Sequence, residues 1–422
     1  MKNHARARYH RKTMTDAPAL EKPAQPRNLP VFGATSFFND TASEMTYWIL
    51  PAFLVSIGAG PAALGIIEGI AESVASFTKL FSGIWTDRIR HRKPLVVGGY
   101  LVANVAKPLL GWATSAWHVF GVRFADRLSK GVRGVPRDVM LADSVPREKM
   151  GSAFGLLQAM DSAGAILGPL AALLIMATAY GHHFGPRAVF WAAAIPGALA
   201  VIIVAAGLRE RPHQPGAAAR RGFSLPRGLP ADYYYVLAAV ALFSLGNSSD
   251  MFLVMRAQSL GVPAWHTPLI GLVFNITYTL FSWPAGRWSD RAAHANDGGL
   301  RWRRGTVAAG LLIFAATYAA FAYGMTPKLV YAAMALYGLY YAFTAPVLKA
   351  VIADAVPGEQ RGGAFGLFDF VTSVAILLSS ALTGLLWKNF GPALPFALSA
   401  GLAVAAAVML LAAGTRKLST ED

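Results

Sequence analysis

The chain has no cysteine among its 422 residues, which excludes disulfide bonds, thiol chemistry and any metal site built on cysteine. Charged residues are also scarce, at 14% of the chain, whereas soluble domains usually carry about 25%. Hydrophobic residues make up 55%. This composition is typical of a membrane protein rather than of a soluble enzyme or binding domain.

Signatures of several other function classes are missing as well. The sequence contains no phosphate-binding Walker loop and no G-x-S-x-G nucleophile motif, which argues against an ATPase and against a serine hydrolase. His182 and His183 are adjacent but have no partner ligands at metal-binding spacing. We therefore predict no metal site, no cofactor and no enzyme activity.

The net charge of +16 raises the question of a nucleic-acid partner. The basic residues lie in the N-terminal tail and in short segments between apolar runs, not on one folded face, so we expect no nucleic-acid binding. Almost all of these basic segments fall on the same side of the predicted spans. By the positive-inside rule that side, with both termini, is cytoplasmic. We expect a monomeric, multi-pass protein of the bacterial inner membrane, in contact with the lipid bilayer.

Apolar segments long enough to cross a bilayer recur along the chain, since a spanning helix needs about 20 mostly apolar residues. We predict twelve spans, at residues 30–57, 62–86, 94–115, 117–143, 150–178, 186–207, 233–258, 266–289, 304–324, 327–354, 361–388 and 391–413. The domains we predict are a disordered basic tail (1–28), a six-helix half (29–208), a Pro/Gly/Arg-rich linker (209–232), a second six-helix half (233–414) and a short tail (415–422).

The two halves repeat each other. FFNDTASEM (37–45) matches FSLGNSSDM (243–251), GIWTDR (83–88) matches GRWSDR (286–291), and LADSVP (141–146) matches IADAVP (352–357). Three matches in the same order, at nearly constant offset, indicate a duplication. Duplicated six-helix halves are a transporter architecture, with the binding site near the membrane midplane between the halves. The predicted fold is all-α, with twelve transmembrane helices in two pseudo-symmetric six-helix halves.

One stretch, RFADRLSKGVRGVPRDVMLAD (123–143), is far more charged than its surroundings. Its cations recur at three-, four- and seven-residue steps, so a helix would place most of them in one stripe. Ionisable groups at membrane depth are costly and normally face a bundle interior or a wet cavity. We therefore predict a functional site on span four, although a solvated surface loop would carry such charges too.

These residues resemble the major facilitator superfamily. The family's loop between helices two and three is matched by Gly83, Asp87-Arg88 and Arg92-Lys93, with Arg90 where glycine is usual. The family's helix-four motif appears as Arg127-Leu-Ser-Lys130-Gly131, with lysine replacing glutamine. The longer run DRLSKGVRGVPRD resembles a bacterial branch of the superfamily to which we assign no substrate. The resemblance covers roughly residues 30 to 413.

The resemblance implies an inner gate. Carried over, Asp87 faces the start of the eleventh helix and Arg88 pairs with Asp143. By the repeat, Asp290 and Arg291 face the fifth helix and Asp354. An anion at a helix N-terminus and an Arg–carboxylate pair both favour one closed state. The predicted gating residues are Asp87, Arg88, Arg92, Asp143, Asp290, Arg291 and Asp354. The alternative is a charge cluster that only sets orientation.

The resemblance also implies that helices one, four, seven and ten line the cavity. Glu44 lies near the middle of the first span, and Asp250 is its repeat counterpart. Burial and a neighbouring cation act on a carboxyl in opposite directions, and such a balance suits a group that takes up and releases a proton. We predict proton coupling by Glu44, or else Asp40, with Asp250 as the third candidate. A static salt-bridge network is the alternative.

The cavity is predicted to be cationic on one wall and aromatic on the other. Where span four has Lys130, Arg133 and Arg137, span ten has Tyr341, Thr344 and Leu348, and its residues 337–343 read YGLYYAF. The substrate-binding residues we predict are Arg123, Asp126, Arg127, Lys130, Arg133, Arg137, Asn247, Tyr337, Tyr341 and Lys349. Such walls suit an amphiphilic organic anion, or a molecule with a ring and an acidic group. Plain helix packing by the tyrosines is the alternative.

These predictions combine into a secondary active transporter that moves a small organic solute by alternating access, coupled to protons, with export favoured over uptake of an organic anion. A sensor or scaffold with the same fold would show eroded gate residues, and here they are intact. A membrane enzyme acting on lipid head groups would need a nucleophile and a base at one depth, and the sequence offers none.

Overall fold

The structure is a computed structural model that describes residues 28–145, 150–210, 228–295, 299–356 and 361–412. Within these ranges some side chains are outside the description, including those of Asp87, Arg88, Asp290 and Arg291. The predicted tails and most of the predicted linker also lie outside the described residues. The part of the chain that is described contains helices and no strand.

The helices of the first half are α1 (Asn28–Tyr47), α2 (Leu50–Ser56), α3 (Pro61–Arg88), α4 (Lys93–Leu109), α5 (Ala116–Ser144), α6 (Met150–Met176), α7 (Ala179–Phe184), α8 (Pro186–Ala192) and α9 (Ala194–Gly207). Those of the second half are α10 (Ala231–Ser244), α11 (Met251–Ser259), α12 (Thr267–Ala295), α13 (Gly299–Tyr323), α14 (Pro327–Asp354), α15 (Arg361–Phe390) and α16 (Ala393–Ala412). A helix satisfies its own backbone hydrogen bonds, which a spanning segment requires in lipid.

Eight of the helical segments in the described ranges are long and apolar enough to cross a membrane. They coincide with eight of the twelve predicted spans, so the all-α membrane fold is confirmed, whereas the count of twelve stays a prediction. The other four predicted spans are 30–57, 62–86, 117–143 and 233–258. The second and fourth spans are rich in charged residues, and the first and seventh are each divided into two shorter helices.

The two divisions lie at different positions of the repeat, since residues 245–250 align with 39–44, inside α1. The first predicted span breaks between α1 and α2, just after Tyr47, and the seventh breaks over residues 245–250. The second break contains Asn247 and ends at Asp250, which immediately precedes α11. An interrupted helix exposes backbone groups and re-aims side chains, and such breaks in membrane proteins occur where the chain is buried or lines a cavity.

The hydrophobic core shows how the halves are joined. The largest cluster includes residues of both halves, such as Phe53 and Phe252, at the end of the molecule opposite the chain termini. Two smaller clusters lie at the end that carries the chain termini, which we call the terminal end. Each belongs to one half: one contains Phe32 and Leu141, the other Tyr233 and Ile352. The described contacts therefore hold the halves together mainly at the end opposite the termini.

Glycines allow close contact between α3 and α15 along this junction. A Cβ built on Gly65 would fall against the backbone oxygen of Ser380, and one on Gly384 would lie 2.6 Å from the Pro61 oxygen. On Gly69 it would lie 3.1 Å from the Leu377 oxygen. Small residues let membrane helices approach closely, so these glycines set the spacing between the halves. We call this contact the glycine seam.

We expect Gly65→Ala to lower the stability of the detergent-purified protein by about 1–3 kcal/mol, because the added methyl group forces α3 away from α15. The matched control is Gly98→Ala on α4, where a Cβ meets no atom within 4 Å. That change should be neutral or slightly stabilising. Thermal unfolding followed by tryptophan fluorescence measures both, and equal midpoints would contradict the role given to the seam.

Candidate functional site

Helix α5 carries the charged stretch predicted from the sequence. It begins at Ala116, after Ser115, whose hydroxyl accepts a hydrogen bond from the backbone nitrogen of His118. A serine at this position satisfies one of the free N–H groups of the first turn. The helix runs without interruption to Ser144, although Pro136 lies inside it. One face of α5 lines a cavity of about 120 Å³ together with α1 and α4.

Two ion pairs connect α5 to α3. Arg123 Nε and Nη2 each donate to a carboxylate oxygen of Glu68 at 2.7 Å, and the pair is almost fully buried. One turn further along, Arg127 Nη2 lies 2.8 Å from Glu72 Oε1. Residues four apart lie on the same face of a helix, so the two pairs form a ladder between facing helices. Bidentate pairing fixes the geometry of both helices.

Asp126 anchors a second chain of polar contacts, which extends to α4 and α1. Its carboxylate lies 3.7 Å from Arg123 Nη1 and 3.6 Å from Lys107 Nζ. Lys107 donates to Asn104 Oδ1 at 3.2 Å, and Asn104 donates to Asn39 Oδ1 at 3.2 Å. These contacts explain the buried Lys107 in the last turn of α4, because each charged group in this series of contacts has a partner.

Two cations on the same face of α5 are not balanced in this way. Lys130 and Arg133 both line the cavity, and neither forms an ion pair with any residue that the structure describes. Arg133 is 6% exposed, lies 4.5 Å from the ring of Tyr100, and its buried Nη1 has no hydrogen-bond partner in the described ranges. Arg133 is buried, and a buried cation without an ion pair is costly. Lys130 is exposed to the cavity and adds a second positive charge there, which Glu72 and Asp40 offset in part from beyond ion-pair distance. Arg137 differs, since its Nε donates to Asp138 at 2.9 Å.

Glu44 lines this cavity and also contacts the second half. Its Oε2 accepts a hydrogen bond from Trp48 Nε1 at 2.7 Å and a longer one, 3.4 Å, from Asn275 Nδ2 of the second half. Asn275 also donates to the Ala165 oxygen on α6 at 2.8 Å. Asn275 of α12 therefore connects the second half to α1, through the Glu44 carboxyl group, and to α6, through the Ala165 oxygen.

The other two predicted proton carriers have different surroundings. Asp40 lines the cavity and accepts a hydrogen bond from Asn39 Nδ2 at 3.0 Å. Asp250 is bound by phenols: Tyr337 donates at 2.6 Å, and Tyr341 lies 3.3 and 3.4 Å from its two oxygens. No cation within the described chain pairs with Asp250.

The tyrosines of the predicted aromatic wall mostly pack against other aromatic residues. Tyr337 has no exposed surface and belongs to the large core cluster, where it also packs against Phe274. Tyr341 is half-buried and lies 5.1 Å from Phe274 in an edge-on contact. Asn247 is partly buried in the break before α11, and Lys349 is exposed near the terminal end of α14. The structure thus brings five of the six predicted α5 residues together around one cavity, all but Arg137, and sets these four apart from it.

Equivalent ion pairs occur in the two halves at the terminal end. Arg92 Nη1 lies 3.0 Å from Asp143 Oδ2, and Arg303 Nε lies 3.1 Å from Asp354 Oδ2. Both members of the second pair are 211 positions after those of the first. Asp143 thus has Arg92 as a described partner, whereas its predicted pairing with Arg88 falls outside the described side chains.

The sequence matches the profile of the Major Facilitator Superfamily over residues 32–296 and 236–421. The chain belongs to this superfamily. An MFS-type transporter of Methanocaldococcus jannaschii is 31% identical over 392 residues, which cover 91% of this chain and 94% of the relative. A multidrug resistance protein, MdtG of Escherichia fergusonii, is 30% identical over 191 residues, 44% of this chain and 45% of that protein.

Solved structures of MFS-like fold agree with this assignment. The nucleoside transporter NupG superposes with a TM-score of 0.70 at 16% identity, covering 92% of this chain and all of NupG. A POT family transporter in complex with 5-aminolevulinic acid gives 0.74 at 12% identity, covering 94% and 99%. At such low identity these likenesses establish the fold alone. The superfamily is one of membrane transporters, which points to a non-enzymatic role.

Sequence reasoning missed the partners of the cations in this MFS chain. Glu68 and Glu72 stand four residues apart in an otherwise apolar span, as Arg123 and Arg127 do in theirs. Matching spacings of opposite charge on two predicted spans were the available signal. Asn275 carried no such signal, because a single amide in a span has many ordinary roles.

Proposed function

We propose that this chain is a secondary active transporter that moves a small organic solute with an anionic group, using a proton gradient. The observation that carries the proposal is that Lys130 and Arg133 line the cavity of the first half without an ion pair among the described residues, and that Arg133 has a buried nitrogen with no hydrogen-bond partner there. An anionic group placed there removes the cost of the unpaired charges and gains charge-assisted hydrogen bonds. The neighbouring Arg123, Asp126 and Arg127 then serve mainly to position α5 through their own ion pairs.

Glu44 is the proposed proton carrier. Within this region it faces Asp40 on its own helix, Lys130 on α5 and Asn275 on α12. The ionised carboxylate accepts a charge-assisted hydrogen bond from Asn275, and protonation removes that assistance. Proton binding therefore favours a conformation in which this contact is absent. Asp40 and Asp250 are the alternative carriers, and Asp250 lacks the contact between halves that connects a proton to movement.

The terminal end forms the proposed gate. Arg92 with Asp143, and Arg303 with Asp354, brace the cytoplasmic ends of the two halves. Asp87, Arg88, Asp290 and Arg291 are proposed to complete the gate when the halves close at this end. Exposed ion pairs contribute little to stability, so their proposed role lies in the balance between conformations.

Orientation and direction complete the proposal. The distribution of basic loops places both termini, and the segment around residues 209–232, in the cytoplasm of the bacterial inner membrane. We propose halves at 29–208 and 233–414 and a functional monomer. Similarity to a multidrug resistance protein over less than half of the chain supports export. Uptake of an organic anion is the alternative.

The test is proton-gradient-driven flux in liposomes, with a panel of organic anions and lipophilic cations. We expect anion flux, and we expect Lys130→Gln with Arg133→Gln to reduce it, since each lost charged hydrogen bond costs about 10- to 100-fold. The control is Lys328→Gln, an exposed lysine in the first turn of α14 at the far end. Flux of cations, unaffected by the double substitution, would contradict an anion site, and no flux with any compound would favour a sensor.

A further inference from the structure

A second cavity lies between the two halves, next to the one already described. It has a volume of about 330 Å³ and is formed by α3 and α5 of the first half and α15 of the second. Its walls include Phe77 and Lys79 from α3, and Asp369 and Phe370 from α15. Neither charged side chain has an ion-pair partner in the part of the chain that the structure describes.

The sizes of the two cavities decide what each can hold. Pockets for drug-sized ligands have volumes of about 300–1,000 Å³. The cationic cavity, at about 120 Å³, has room for a charged head group and little more. The second cavity reaches the lower end of the ligand range. A solute larger than its anionic group therefore needs space beyond the cationic cavity.

The two cavities are related through α5 and through one pair of cations. Lys130 and Arg133 line the first, and Val135 of the same helix lines the second. Lys79 on the wall of the second cavity interacts electrostatically with Lys130 of the first. Lys79 is therefore close enough to Lys130 to act on the same anionic ligand, although Asp369 on the facing wall offsets part of its charge.

The larger cavity is suited to a ring. Phe77 and Phe370 are 36% and 44% exposed, and their ring centroids lie 5.8 Å apart in an edge-on contact between the halves. Exposed aromatic rings beside a charged cavity offer apolar surface to a flat apolar group. Asp369 can accept a hydrogen bond from a hydroxyl or amine on the same ligand.

We propose that this second cavity binds the aromatic body of the substrate, while its anionic group lies at Lys130 and Arg133. The inference rests on the proposed anion transport and names its substrate class: a ring-bearing organic anion. It also moves the ring site from the tyrosines of α14 to Phe77 and Phe370. Because these two rings belong to opposite halves, one ligand contacts both halves at once, and its binding stabilises a particular arrangement of them.

The test compares two sulfonates with the same head group, naphthalene-2-sulfonate and methanesulfonate, by calorimetric titration of the full-length protein in detergent. We expect the naphthalene compound to bind at least about tenfold more tightly, since it alone buries a ring. Phe77→Ala and Phe370→Ala should each weaken its binding by about 2- to 10-fold and leave methanesulfonate unchanged. Phe370→Tyr, which keeps a ring, should restore the affinity.

The control is Phe390→Ala, a 68% exposed phenylalanine at the other end of α15, which should change neither affinity. Equal binding of both sulfonates, or no effect of either phenylalanine substitution, would overturn the ring site. Lys130→Gln with Arg133→Gln should weaken both sulfonates. If that double variant binds both normally while Phe370→Ala still weakens the naphthalene compound, the anion site fails and the ring site stands. Absence of binding by either sulfonate would overturn both.

Discussion

Glu44→Gln is expected to abolish proton-driven accumulation of substrate in liposomes while preserving exchange of substrate across the membrane. Glutamine keeps the shape and the acceptor oxygen that Trp48 and Asn275 contact, but it cannot release a proton. A carrier fixed in the protonated form still binds its solute and changes conformation, so it exchanges labelled for unlabelled substrate. It cannot convert the gradient into net movement.

The measurement is paired: uptake driven by an imposed pH gradient, and counterflow without one. Asp40→Asn is the matched variant, because it neutralises the other cavity-lining acid of α1 and should retain driven uptake. Driven uptake by Glu44→Gln at the wild-type rate rules out the proton role. Loss of driven uptake in Asp40→Asn alone transfers that role to Asp40.

Glu68→Gln is expected to have the largest effect on stability, lowering it by about 3–5 kcal/mol, because it leaves the buried Arg123 without its main counter-charge. Glu68 is completely buried and receives two hydrogen bonds of 2.7 Å from the guanidinium group. Asp126, at 3.7 Å, already shares its charge with Lys107 and compensates only in part.

Glu72→Gln is the control, because it alters the next rung of the same ladder, where the carboxylate is 42% exposed. Arg127 is buried, but the Glu72 carboxylate is partly solvated, so this variant should lose less stability than Glu68→Gln. Thermal unfolding in detergent, followed by tryptophan fluorescence, compares the two. Similar midpoints for both variants would show that Glu68 and Arg123 are not a structural unit.

The fold was predictable because its signals are local or repeated. Apolar length identified the spans, and the family assignment suggested by Asp87-Arg88 and Arg127 to Gly131 is confirmed. The interruptions of the first and seventh spans were not predicted. The first interruption falls at Trp48 and Ile49, which are as apolar as the residues of an unbroken helix. The second, at residues 245–250, is polar, but polar residues in a span also indicate a binding site, so composition alone does not identify a break.

Of the site, the sequence predicted only which face of α5 carries the charged residues. The spacing of cations on α5 placed them in a stripe, but which of them are neutralised depends on Glu68 and Glu72, and pairing between helices is a tertiary property. Tyr337 illustrates the same limit: its repeat position suggested a cavity wall, and packing against Phe274 buries it. Helical periodicity predicts which residues share a face of the helix, but not which residues of other helices that face contacts.

The glycine seam has a mechanical consequence. It lies near one end of α3, and from Gly69 to Arg88 that helix extends for about 28 Å, at about 1.5 Å per residue. The bidentate Glu68–Arg123 pair connects the seam end of α3 to α5, so we expect the two helices to move together when the halves rotate. A rotation of about 10° at the seam displaces the free end by about 5 Å, from the same rise per residue. A small rearrangement of hydrogen bonds near the glycine seam would therefore be enough to open a passage for a small solute at the opposite end of α3.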